Sequence, residues 1–132
     1  MAEHTEKETV QGMQTEQIHK MVKLAYHTLD EKKAENITVI DISNLSVVAD
    51  YFIIASGENQ RQTEALCGHV EEALEKAGFD CRQIEGKQGA AWILMDYGDV
   101  IIHIFDRENR LFYDLERIWK DGHTIVDVDA LN

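Results

Sequence analysis

Residues 51–78 read YFIIASGENQRQTEALCGHVEEALEKAG, and they set the fold class. Tyr51 to Ala55 is an unbroken apolar run of strand length, the pattern of a strand buried on both faces in the middle of a sheet. Ser56 and Gly57 break it. Asn59 with Gln62 three residues on makes a capping-box-like start, and Leu66, Val70, Ala73, Leu74 and Ala77 then share a helical stripe that Gly78 closes. Strand, turn and helix in direct succession form the unit of an α/β layer.

Working outward, Ile37 to Ile42 (ITVIDI) is rich in β-branched residues and predicts a strand, followed by a polar loop at Ser43 to Ser46. Before it, Thr15 caps a helix in which Ile18, Met21, Val22, Ala25 and Leu29 recur every three or four residues until Asn36. Residues 1–14 have almost no large apolar side chain and no period, and are expected to form a flexible leader. Downstream, Asp80 to Ile84 predicts a short strand, and Gly86 with Gly89 marks a loop.

Ala91 to Asp96 and Asp99 to Phe105 flank only Tyr97-Gly98, the sign of a tight antiparallel hairpin. With those two residues as the loop, Asp96 faces Asp99, Leu94 faces Ile101 and Trp92 faces His103. Alternation then gives the hairpin one wholly aliphatic side, Ile93, Met95, Val100, Ile102 and Ile104, which must lie under helices. The other side carries Trp92, Leu94, Asp96, Asp99, Ile101 and His103. Asp106 caps a last helix whose Leu111, Leu115, Ile118 and Trp119 share a face, ending near Gly122, and an acidic tail, residues 123–132, is expected beyond the core. The whole predicts one α/β domain over residues 15–122, a mixed sheet flanked by helices.

The composition narrows the function. Within 132 residues, thirteen Lys and Arg stand against twenty-five Asp and Glu, a formal net charge of −12. Such a surface repels phosphate backbones and anionic membranes, so no direct nucleic-acid or membrane partner is expected, and a basic protein partner is favoured. The longest apolar runs fall far short of the ~20 residues that cross a bilayer, and no signal-peptide core precedes the first helix, so a cytoplasmic location is expected. Cys67 and Cys81 have neither metal spacing nor a helix N-terminal position, and both read as inert thiols.

Catalytic constellations are sparse. No HExxH, CxxC, GxSxG or P-loop pattern occurs, and no two of the six histidines have metal-ligand spacing on one helix, so no metal or cofactor is expected. Ser56-Gly57 after a strand is similar to the start of a nucleotidyltransferase site, and a nucleotide-handling enzyme using Ser56, Gly57 and Arg61 is the alternative reading. That chemistry needs two carboxylates alternating on a following strand. Cys81 to Glu85 has no such pair, and Asp127 with Asp129 lies in the tail. The Trp92 side of the hairpin, with Asp96 and Asp99 at its border, has the form of a binding patch with an aromatic anchor and charged rim. The same pattern fits a face covered by another helix or a second copy.

The run Asp41 to Gly57 (DISNLSVVADYFIIASG), then Gln60-Arg61-Gln62 and His69-Val70-Glu71, resembles the ribosomal silencing factor family, RsfS, also called Iojap-like. So do Glu85-Gly86, Ala91 to Val100 (AWILMDYGDV) and Phe112 to Trp119 (FYDLERIW). The resemblance spans about Gln17 to Lys120 and implies a nucleotidyltransferase-like fold without catalytic carboxylates. It implies a non-enzymatic role: binding large-subunit ribosomal protein fourteen and sterically blocking the small subunit, thereby repressing translation. It also implies a homodimer. The family's partner-contacting tryptophan falls on Trp92, and strand geometry and charge extend the expected partner-binding site to Leu94, Asp96, Tyr97, Asp99 and Glu85.

Overall fold

The structure is a computed structural model; it describes residues 2–131 apart from Ala90, with side chains from Gln14 onward except those of Phe112, Glu116 and Ile118. Its elements are helix α1 (Ala2–Glu31), strands β1 (Glu35–Asp41) and β2 (Tyr51–Gly57), helix α2 (Gln60–Lys76), strands β3 (Gln83–Glu85), β4 (Trp92–Asp96) and β5 (Val100–Asp106), short helices α3 (Arg107–Tyr113) and α4 (Leu115–Ile118), strand β6 (His123–Thr124) and a 3-10 turn, Val128–Ala130. The six strands form one sheet in the order β3-β4-β5-β2-β1-β6. Only β2 and β5 run parallel, joined by the crossover through α2, and every other pair is antiparallel. The mixed α/β sheet expected from the sequence is present.

Register explains the two cores. One side of the sheet carries the cross-strand row Val39, Ile53, Ile102, Met95, Ile84. The stripe of α1 (Val22, Ala25, Leu29) and that of α2 (Leu66, Val70, Leu74) cover it, and Ile93, Met95, Val100, Ile102 and Ile104 are fully buried, as alternation requires. The opposite side carries the row Thr38, Ile54, His103, Leu94, Glu85 and, beside it, Ile40, Phe52, Ile101, Asp96, Gln83. Among the described residues, Leu115 and Trp119 from α4 and the segment to Gly122, with Ile42 and Ala49 from the β1–β2 connection, provide the cover here, over β1, β2 and the end of β5.

Five local expectations differ. The hairpin pairs Asp96 with Ile101 and Trp92 with Phe105, and Tyr97 N–H donates to the Val100 carbonyl, so its loop is Gly98-Asp99 rather than Tyr97-Gly98. Gly98 supplies the positive φ (87°) that the first position of such a turn needs. The slip is two residues, which leaves every strand side chain on its expected face, Tyr97 of the expected loop excepted. The last helix is broken at Asp114, which is left-handed (φ 46°, ψ 54°), and Leu111 points to solvent instead of joining Leu115. The backbone is helical from Ala2, through the expected leader, and β3 is shorter than Asp80 to Ile84. The expected acidic tail is built into the fold: β6 extends β1, Ile125 N–H donates to the Val39 carbonyl, and Val128 enters the α1 core.

Candidate functional site

Trp92 opens β4 on the thinly covered side. The approach is tight: Gly86 has φ of 80°, and a Cβ there would run into the Trp92 carbonyl oxygen, so only glycine lets the β3–β4 connection pass. The indole stacks on its cross-strand neighbour Phe105 (centroids 5.1 Å apart, 26° between planes) and meets Tyr113 of α3 at 4.7 Å. Its N–H donates to Nδ1 of His103, 3.0 Å away. Phe52 packs its ring against His103 (4.7 Å) and Trp119 against Phe52 (5.1 Å), extending the aromatic surface across the sheet. Trp92 is half-buried within this group, and Tyr113 beside it is exposed.

Leu94, also half-buried, lies between His103 and Glu85 in the cross-strand row, and Asp96 occupies the neighbouring row beside Gln83. Glu85 is exposed and accepts from Gln83 Nε2 at 2.6 Å. Asp96 is tied to the turn, its Oδ1 accepting from Gly98 N–H at 2.7 Å. Asp99 is exposed at the turn, and its carbonyl accepts from the N–H groups of Asp50 and Tyr51. Burial and the nearby Asp99 and Asp41 carboxylates push the Asp50 carboxyl above its ordinary range, and the Arg82 guanidinium over Gly98 offsets part of the negative charge gathered at this end of the sheet.

Tyr97 does not join these residues. By alternation it falls with Ile93 and Met95 on the helix-covered side, where it is buried with its hydroxyl near the Cys81 thiol and without a well-formed hydrogen bond. Trp92, Leu94, Asp96 and Glu85 share one face, with Asp99 at its turn end. Sequence reasoning missed the supporting rings Phe105, Phe52, Tyr113 and Trp119. Phe105 was readable from alternation with Ile101 and His103 in either register, but nothing in the pattern placed Tyr113 over Trp92.

The turn invoked for nucleotide binding is filled. Ser56 is 1 % exposed and its hydroxyl accepts from Arg110 Nη1 at 3.0 Å, while Thr63 packs where a Cβ on Gly57 would stand. The open cleft beyond it, about 530 Å³, is bordered by Glu58, Asp106 and Glu108, and the one basic side chain there, Arg107, is paired with Glu35. Asp127 caps the 3-10 turn and Asp129 pairs with His27 of α1. Among the described residues no three His, Cys, Asp or Glu groups come together as a metal site, and no helix is long and apolar enough to cross a membrane. Cys67 is fully buried and its thiol is pushed up to about 11 by that burial, which suppresses the reactive thiolate.

Comparison with known proteins identifies the family. The family model described as ribosomal silencing factor during starvation matches residues 15–132. The ribosomal silencing factor RsfS of Bacillus subtilis is 35 % identical over 109 residues, covering 83 % of this chain and 92 % of that protein. The RsfS of Zymomonas mobilis is 40 % identical, covering 77 % of each. A crystal structure of a Chromobacterium violaceum protein superposes with a TM-score of 0.75 at 35 % identity, covering 76 % of this chain and 84 % of that one. By the matched span and these identities, the chain belongs to the ribosomal silencing factor family.

Proposed function

We propose that this protein docks on ribosomal protein fourteen of the large ribosomal subunit through the Trp92 face, and by standing there keeps the small subunit from joining. It represses translation as a homodimer without turning over a substrate. The observation that carries the reading is the half-buried aromatic group around Trp92, set at the border where α3 and α4 stop covering the sheet and rimmed by Glu85, Asp96 and Asp99. An apolar centre with a charged rim is the anatomy of a protein interface. The acidic rim and the net charge of −12 favour a basic protein over RNA. Membership of a family named for silencing ribosomes supplies the biological direction.

Sedimentation of mixed ribosomal subunits tests it. The native protein is expected to lower the joined fraction, and Trp92→Ala to lose that effect with a binding cost of at least ~2 kcal/mol, about thirtyfold in Kd. A Trp92→Ala variant that folds normally yet binds isolated ribosomal protein fourteen as tightly as the native chain would sink the assignment.

A further inference from the structure

His103 is a buried polar side chain in the floor of this face, 3 % exposed, in the row between Ile54 and Leu94. An indole N–H only donates, so the 3.0 Å contact makes His103 Nδ1 the unprotonated acceptor, and in the neutral ring the single proton must sit on Nε2. Among the described residues that Nε2 is buried with no hydrogen-bond partner, and the ring lies against Phe52. A buried donor left unmade is costly, and a sheet position between two aliphatic neighbours would be better filled by another aliphatic. The histidine therefore has a task, and the one polar bond it makes is to Trp92.

We propose that His103 is the positioning residue of the docking face: by accepting the indole N–H it fixes the Trp92 ring against Phe105 and Tyr113 in the orientation a partner meets, and leaves only the ring's apolar surface for that partner. Without the bond, the N–H would seek water and the ring would leave the stack. With it, no interface acceptor has to be found for the indole, and docking begins from an ordered anchor rather than a mobile one. The proposal rests on the reading of Trp92 as the docking ring and adds what holds it there.

The test has a spectroscopic arm and a binding arm. In nitrogen-15 NMR of the native chain, His103 is expected as the Nε2–H tautomer, and the Trp92 indole N–H as strongly protected from solvent exchange. His103→Leu should abolish that protection and weaken binding to isolated ribosomal protein fourteen by about tenfold. His103→Asn, whose amide oxygen takes the place of Nδ1, should restore much of both. Trp92→Phe and His103→Leu remove the same bond, so together they should cost less than the product of their separate effects.

An Nδ1–H tautomer, or a Trp92 indole N–H that exchanges freely, overturns the proposal on the native chain, whatever the variants do. If Trp92→Ala abolishes binding while a folded His103→Leu binds normally, the positioning role falls and the docking reading stands. If Trp92→Ala also binds normally, both fall.

Discussion

At the scale of single residues, the interior of this face is organised by one buried imidazole. Burial lowers the His103 pKa from its ordinary 6.5 to about 4, and no charged neighbour contributes to that shift. The sign follows from linkage. In the folded chain the ring stays neutral between pH 6.5 and 4, whereas the unfolded chain takes up a proton there, so this residue's contribution is full above pH 6.5 and is lost as pH falls toward 4. The loss is on the order of 3 kcal/mol at most. Chemical denaturation at pH 7, 5.5 and 4.5 should show the native chain losing stability relative to His103→Leu across that window; an unchanged difference would mean that the ring is not held neutral. Trp92 itself was legible from the sequence because alternation fixes its face whatever the exact pairing. Tyr97 was misplaced for a related reason: assigned to a loop, it escaped the alternation rule, yet it pairs across the turn and so falls on the buried face.

At the scale of elements, legibility followed hydrophobic period. α2 was readable end to end, because its stripe, its Asn59 cap and its closing glycine agree; Asn59 Oδ1 accepts from Gln62 N–H at 2.9 Å, and Gln62 returns its own oxygen to Glu58 N–H at 2.6 Å. The last helix was misread because Leu111, Leu115 and Ile118 have helical spacing, and a single left-handed residue, Asp114, leaves no mark in that spacing. The C-terminal residues were read as a tail because the segment is short and acidic, which hides the three apolar residues Ile125, Val128 and Leu131. They nevertheless pack on α1, with Asp129 bonded to His27 at 2.7 Å. Truncation after Gly122 should therefore cost about 3 kcal/mol or more, since Val128 is buried and Ile125 and Leu131 are partly so. The same truncation should leave binding through the Trp92 face intact once the chain is stabilised by low temperature, because the lost segment lies against α1 and β1. Calorimetry and a binding titration on the truncated chain separate the two; an unchanged melting point would mean that the segment is not part of the core.

At the scale of the whole molecule, the excess of carboxylates is unevenly useful. Helices α1 and α2 together hold ten acidic and five basic residues, −5 of the net charge of −12, on the other side of the sheet, whereas Glu85 and Asp99 border the Trp92 face. Charges at a rim act on encounter more than on the final bound state, over a reach of about 8 Å at physiological salt. Asp96 is unsuited to testing this, because its carboxylate also holds the turn through Gly98 and its loss would loosen the hairpin. Reversing Glu85 and Asp99 together to lysine changes the field by four charges and leaves that bond alone. The double variant should associate with isolated ribosomal protein fourteen about tenfold more slowly at low salt, with a weaker dependence on ionic strength and a nearly unchanged dissociation rate. Stopped-flow mixing at two salt concentrations checks it. Equal association rates at low salt would leave the apolar centre as the whole of the recognition, and would move the acidic surface from steering to solubility.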